Sequence, residues 1–166
     1  MKILYRIVGL LLVVGLLGVA WCRYTGCLNP SEIEMETMTL RDLEGNIVSL
    51  DAYKGKPIFF NIWASWCGDC LKEMPSIENA KKELADTDYV FLFVSDEDYS
   101  RIKRFISRKK YDFTYLKMDE KLKDIGITFI PQSYIIDRNG KIVYESTGGK
   151  AWDTQESIEL LRSFAM

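Results

Sequence analysis

Histidine is absent from the 166 residues of the chain, and with it go imidazole-assisted hydrolysis, His-containing metal sites and a histidine-ligated haem. A basic excess is missing as well. The formal charge is −2, and beyond the first 28 residues, which hold Lys2, Arg6, Arg23 and no acid, 19 basic groups face 24 acidic ones. That balance argues against a nucleic acid partner. No internal repeat or low-complexity tract interrupts the sequence. Cysteine is scarce, with four residues in all. What remains, 48% hydrophobic and 28% charged, is the composition of a globular chain near single-domain size that can bury a sizeable core.

The first 22 residues stand apart. Residues 7–21 carry no charge, but as a helix they reach only about 22 Å of the roughly 30 Å that a bilayer core requires. Counting from Ile3 to Cys22 restores the span, with Arg6 snorkelling toward the headgroups. A retained signal-anchor is one reading. A cleaved secretory signal is the other, with Lys2 and Arg6 ahead of the apolar run and the small residues Gly18 and Ala20 before a cut. Both place the rest of the chain outside the cytoplasm, either as a single-pass protein of the cell membrane or exported to the periplasm. Lipidation at Cys22 is disfavoured by the bulky Trp21 before it. Cys22 and Cys27 either pair with each other or are idle thiols. Residues 23–34 read as a polar linker broken by Gly26 and Pro30, and residues 35–166 as one domain.

Within that domain, residues 37–43 and 47–50 bracket Glu44, Gly45 and Asn46 as a hairpin. Residues 58–63 and 89–95 are nearly continuous apolar, aromatic and β-branched runs, the pattern of strands covered on both faces of a parallel sheet. Between them Leu71, Met74, Ile77 and Leu84 recur at helical spacing, with Lys72, Glu73, Lys81, Lys82 and Glu83 off that stripe. This predicts a βαβ unit. Residues 100–109 form an amphipathic helix whose basic cluster reads as a solvated face. Residues 133–137 and 142–145 flank an Asn139-Gly140 turn, a hairpin signal, and residues 153–164 supply a last helix. The expected fold is α/β: βαβ followed by ββα, a central mixed sheet with helices on both faces, and an extra N-terminal β-hairpin.

The chemistry is carried by Cys67 and Cys70, in Trp66-Cys67-Gly68-Asp69-Cys70 directly after a buried strand and at the mouth of a helix. A sulfur at a helix N-terminus meets unpaired N–H groups and the positive end of the macrodipole, which favours the thiolate and marks Cys67 as nucleophile. Cys70, one turn on, lies near disulfide range, so the pair reads as a redox switch. A structural zinc site lacks its second half, since only Cys22 and Cys27 remain at the wrong spacing. An inert disulfide closing so small a loop would constrain the unfolded chain little. Asp69 beside both sulfurs opposes thiolate formation while suiting the helix start. One unit of thiol pKa, about 1.4 kcal/mol, would move the couple by roughly 30 mV, so Gly68 and Asp69 are the positions that tune the potential.

The string FFNIWASWCGDCLKEMP, followed by FIPQSYIIDRNGKIV, resembles the TlpA/ResA-like extracytoplasmic thiol-disulfide oxidoreductases of the thioredoxin superfamily, from about Met35 to the C-terminus. The resemblance implies that Cys67 attacks a partner disulfide and that Cys70 resolves the mixed disulfide. It implies that Pro131 is cis and that Ile130 offers its backbone to a substrate strand, a place where a proline must begin or edge a strand in any case. Where thioredoxin has a buried Asp this chain has Asn61, and Glu73 matches the glutamate that this branch carries instead. Glu73 is thus the expected acid/base group for Cys70, against the plainer reading of a solvated helix residue. Trp66 is expected to wall the site and touch partners. Pro75 is expected to kink the helix.

No metal or organic cofactor is implied. The expected partners are disulfide- or dithiol-bearing proteins, with a membrane thiol carrier as electron donor, in cytochrome c maturation or general envelope redox. A peroxiredoxin-like peroxidase is the alternative enzyme, but its threonine three residues before the attacking cysteine is here Ala64. The other alternative, a non-catalytic binding module on the same fold, does not need the two cysteines.

Overall fold

The computed structural model describes residues 38–165. The expected membrane segment, the linker, and Cys22 and Cys27 lie outside the described residues. Seven strands, β1 (Leu40–Arg41), β2 (Ile47–Val48), β3 (Ile58–Ile62), β4 (Val90–Ser95), β5 (Thr114–Met118), β6 (Gln132–Ile136) and β7 (Ile142–Thr147), form one sheet in the order β2-β1-β5-β4-β3-β6-β7. Three helices accompany them: α1 (Gly68–Glu83), α2 (Tyr99–Lys109) and α3 (Gln155–Ala165). β3, β4 and β5 run parallel, whereas β6, β7, β1 and β2 join antiparallel. Among the described residues no helix is long and apolar enough to cross a membrane.

β3 is buried at every position, as its apolar run, interrupted only by Asn61, requires of a strand flanked by neighbours on both sides. One side of the sheet carries Phe59, Phe91, Phe93, Tyr115 and Ile135, which join Met74 and Ile77 of α1, Ile102 and Phe105 of α2, and Ile158 and Leu161 of α3 in a single cluster. Residues of the alternate parity, Phe60, Ile62, Leu92, Val94, Leu116 and Tyr134, are buried too. Rings dominate the packing. Trp63 lies 4.6 Å from Phe105, Phe93 stacks on Phe113 at 3.9 Å, and Trp152 meets Phe59 edge-on at 4.7 Å.

One detail differs from the sequence expectations. β5 was not expected, because its residues TYLKM mix Thr and Lys with apolar side chains. Its identity comes from the two strands it joins, β4 and β1. The expected hairpin is present: β6 pairs antiparallel with β7 across a turn from Asp137 to Lys141, in which Gly140 and not Asn139 takes a positive φ, +84°. The reason is Asp137, whose Oδ1 accepts the N–H groups of both Asn139 and Lys141 at 2.9 Å, a side-chain turn that leaves the left-handed position to glycine. Pro75 lies inside α1, which runs as one helix from Gly68 to Glu83. The basic side chains of α2, Arg101, Lys103, Arg104, Arg108 and Lys109, are exposed.

Candidate active site

The site forms where β3 hands the chain to α1. The Trp63 N–H still bonds to the Val94 carbonyl at 3.0 Å, after which the Cys67 N–H turns back to Ala64 O at 3.1 Å. Cys67 then caps α1. Its backbone is extended (φ −80°, ψ 104°), and its Sγ accepts the N–H of Cys70 at 3.2 Å. The sulfur therefore occupies the place that a Ser or Asp oxygen takes at an ordinary helix start, among donors with no intrahelical partner. Cys67 and Cys70 are joined as a disulfide, with Cα atoms 5.3 Å apart. Cys70 is fully buried and Cys67 is 6% exposed, so partner access is confined to the Cys67 side. Gly68 and Asp69 are exposed, and Asp69 pairs with Lys72 at 2.9 Å.

The antiparallel register of β3 and β6 sets Ile62 opposite Gln132. That pairing brings the segment before β6 beside the chain leaving β3. The Ile130–Pro131 bond is cis, and the Ile130 carbonyl oxygen lies 3.6 Å from Cys67 Sγ. Trp66 (66% exposed) and Phe129 (72% exposed) stand beside this point, two of the large apolar side chains that the described surface leaves in water. A cleft of about 740 Å³ adjoins it, lined by Trp66, Glu97, Arg101, Lys121, Ile127 and Ile130 among others. Buried Glu97 accepts the Ser65 N–H at 2.5 Å and the Ser65 hydroxyl at 2.8 Å, pinning the loop that carries Trp66 and Cys67.

Glu73 is 4% exposed. Its Oε1 accepts from Asn61 Nδ2 at 2.8 Å and its Oε2 from the Lys150 N–H at 3.2 Å. The Asn61 amide also donates to Ser133 Oγ at 3.0 Å. Burial pushes the Glu73 carboxyl up to about 7, because the desolvation of a charge outweighs the donors from Asn61 and the Lys150 amide that favour the anion. The Trp152 indole favours the anion too, from nearby but without a hydrogen bond of normal geometry. The plain reading of Glu73 as a solvated helix residue therefore does not describe this environment. Among the described residues, no three acids or cysteines converge as a metal site.

Residues 31–159 match the Redoxin family. The chain belongs to that family. ResA, a thiol-disulfide oxidoreductase of Bacillus thuringiensis subsp. konkukian (strain 97-27), is 30% identical over 168 residues, which cover 95% of this chain and 93% of the relative. ResA of Halalkalibacterium halodurans is 31% identical over 128 residues, covering 74% and 72%. A solved thiol:disulfide interchange protein from a Bacteroides species superposes with a TM-score of 0.65 at 26% identity, over 77% of this chain and 85% of the other. This redoxin is a TlpA/ResA-like member of the thioredoxin superfamily, with the thioredoxin fold, and a protein thiol-disulfide oxidoreductase.

The redoxin's sulfurs are thus placed for exchange, which needs an accessible sulfur, a second within bonding reach, and a way to move one proton. The structure brings Cys67, Cys70, Trp66, Ile130 and Pro131 together, and sets Glu73 one helical turn beyond Cys70. Sequence reasoning passed over Ser133, Lys150, Glu97 and Phe129 as site residues, and noted Asn61 only as the replacement for an aspartate. Ser133 and Lys150 lie 72 residues from Asn61 and 77 from Glu73, and no local pattern reports contacts so distant. Phe129 did carry a signal: a large apolar residue directly before the Ile130–Pro131 pair.

Proposed function

We propose that the protein is a membrane-tethered or exported reductant of disulfides in other proteins outside the cytoplasm, serving cytochrome c maturation or general envelope redox, with electrons supplied by a membrane thiol carrier. The observation that carries the exchange chemistry is the capping sulfur of Cys67, 3.6 Å from the carbonyl before a cis-proline. An extended partner segment can pair its backbone there while presenting its own disulfide to that sulfur. The extracytoplasmic setting is supported by the apolar run from Ile3 to Cys22 behind basic residues.

In the reductive direction, the Cys67 thiolate attacks one sulfur of the partner disulfide. The Cys67–partner bond forms and the other partner sulfur leaves with the electron pair. Cys70 then gives its proton to the Glu73 carboxylate and attacks Cys67 Sγ. That closes the Cys67–Cys70 bond and frees the second partner sulfur as a thiolate. Glu73 suits this task because a carboxyl titrating at about 7 is about half ionised at neutral pH, and its anion is basic enough to take the proton.

The test is trapping. A Cys70→Ser variant produced in the native host should accumulate mixed disulfides through Cys67, and the captured proteins should be extracytoplasmic cysteine-pair proteins. Capture of cytoplasmic proteins, or of nothing beyond what a Cys67→Ser/Cys70→Ser double variant captures, overturns the proposal.

A further inference from the structure

Glu73 is held by two elements other than its own helix, with a third behind one of them, and the holding is directional. Asn61, the fourth of the five β3 residues, spends both hydrogens of its amide: one on Glu73 Oε1 at 2.8 Å and one on Ser133 Oγ at 3.0 Å. An ionised carboxylate only accepts, so the amide turns its nitrogen toward Glu73, and the same nitrogen gives its second hydrogen to Ser133 Oγ, which steadies the group. The Lys150 N–H occupies the other carboxylate oxygen at 3.2 Å. All three of Asn61, Glu73 and Ser133 are nearly excluded from solvent, where a satisfied hydrogen bond to a charged group matters most and an unpaired one is costly.

We propose that Asn61 is a positioning residue for the resolving half-reaction: anchored by Ser133, it presents Glu73 as a carboxylate to the Cys70 thiol. Ser133 sits two residues after Pro131 on β6, so the anchor of the proton acceptor and the partner-docking turn share one strand. The proposal rests on the assignment of Cys67 as attacking and Cys70 as resolving sulfur.

The groups around Glu73 leave the amide as its main adjustable support. On α1 itself are Cys70 and, on the exposed side, the Asp69–Lys72 pair. β3 and β6 contribute only Asn61 and Ser133. The β7–α3 loop contributes Lys150, whose ammonium is committed elsewhere, over the rings of Tyr144 at 5.0 Å and Trp152 at 4.6 Å and bonded to Tyr144 Oη at 3.0 Å. Removing the Asn61 donor withdraws more support from the anion than from the neutral acid, so Glu73 binds its proton more tightly.

The experiment uses the reduced full-length protein and 5,5′-dithiobis(2-nitrobenzoate), followed by stopped flow from pH 5 to 9. Cys67 attacks the reagent and releases one thionitrobenzoate. Cys70 then attacks Cys67 Sγ, its proton passing to Glu73, and releases the second as the internal disulfide closes. In Asn61→Ala the ascending limb of the second release should move up by about one pH unit, making that release about tenfold slower on the limb, while the first release keeps its rate. Ser133→Ala should shift the limb in the same direction by less, which keeps the test open if Asn61→Ala does not fold. In a Glu73→Gln background neither substitution should change the profile further. A second-release limb unmoved in both single variants overturns the role of Asn61, as does an equal shift in the Glu73→Gln background. A wild-type protein that shows no first release, or loses none in Cys67→Ser, instead overturns the assignment of the two sulfurs.

Discussion

Glu73 is a residue whose environment works against its charge. Its carboxyl titrates at about 7 in the folded protein, against roughly 4.5 for an ordinary glutamate in an unfolded chain. Between those values the folded protein holds a proton that the unfolded chain has released. The contribution of Glu73 to stability is therefore complete below about pH 4.5 and is lost as pH rises through about 7, by about 3 kcal/mol in all. Denaturant titrations of the oxidised protein at pH 4 and pH 8 should show Glu73→Gln gaining on the wild type by about that amount across the interval. A constant difference between the two proteins would mean that the carboxyl is not buried as described. The cost is consistent with function, because the same burial makes Glu73 a base matched to a thiol at neutral pH. At this scale the cysteines were legible from their neighbours in sequence, and Pro131 from the family resemblance. The burial of Glu73 was not, since its helical position is off the apolar stripe and its cover arrives from Asn61 and Lys150.

The elements obey their local chemistry with few exceptions, and one exception offers a gain. α2 ends on Lys110 in the left-handed conformation (φ 55°, ψ 30°), its N–H closing on Ile106 O at 3.0 Å. A side chain with a Cβ is strained there, and glycine is the usual occupant of such a helix end. Lys110→Gly should stabilise the protein by about 0.5–1 kcal/mol once the extra freedom of glycine in the unfolded chain is set against the relieved strain. The readout is a higher urea midpoint with unchanged disulfide exchange. β3 and β4 were readable because strands buried on both faces are apolar at nearly every position, and α1 because Met74 and Ile77 keep the helical period. β5 was not readable, since Thr114 and Lys117 break any apolar run and only the neighbouring β4 and β1 make that segment a strand.

For the molecule as a whole, Trp152 links the site to the core. It is fully buried, edge-on to Phe59 at 4.7 Å and to Tyr144 at 6.2 Å, and its N–H bonds to Ser76 Oγ at 3.1 Å. The loop it ends also supplies the Lys150 N–H to Glu73, and the Gly148 N–H of the same loop bonds to Pro131 O at 2.8 Å. Trp152→Ala should therefore cost about 3–5 kcal/mol by opening a large cavity, read as a fall in the urea midpoint. Unchanged stability would contradict its place in the core.

By itself the sequence determined the strand–helix–strand unit and the placing of two cysteines at a helix mouth, because hydrophobic period and helix-end chemistry act over a few residues, whereas the proline that accompanies them was implied by the family resemblance. Only the tertiary structure decided the surroundings of Glu73. The polar cluster of Asn61, Ser133, Glu73 and the Lys150 amide draws on β3, β6, α1 and the loop before α3. A buried carboxyl acquires its environment from whatever the folded chain packs against it, however distant along the sequence.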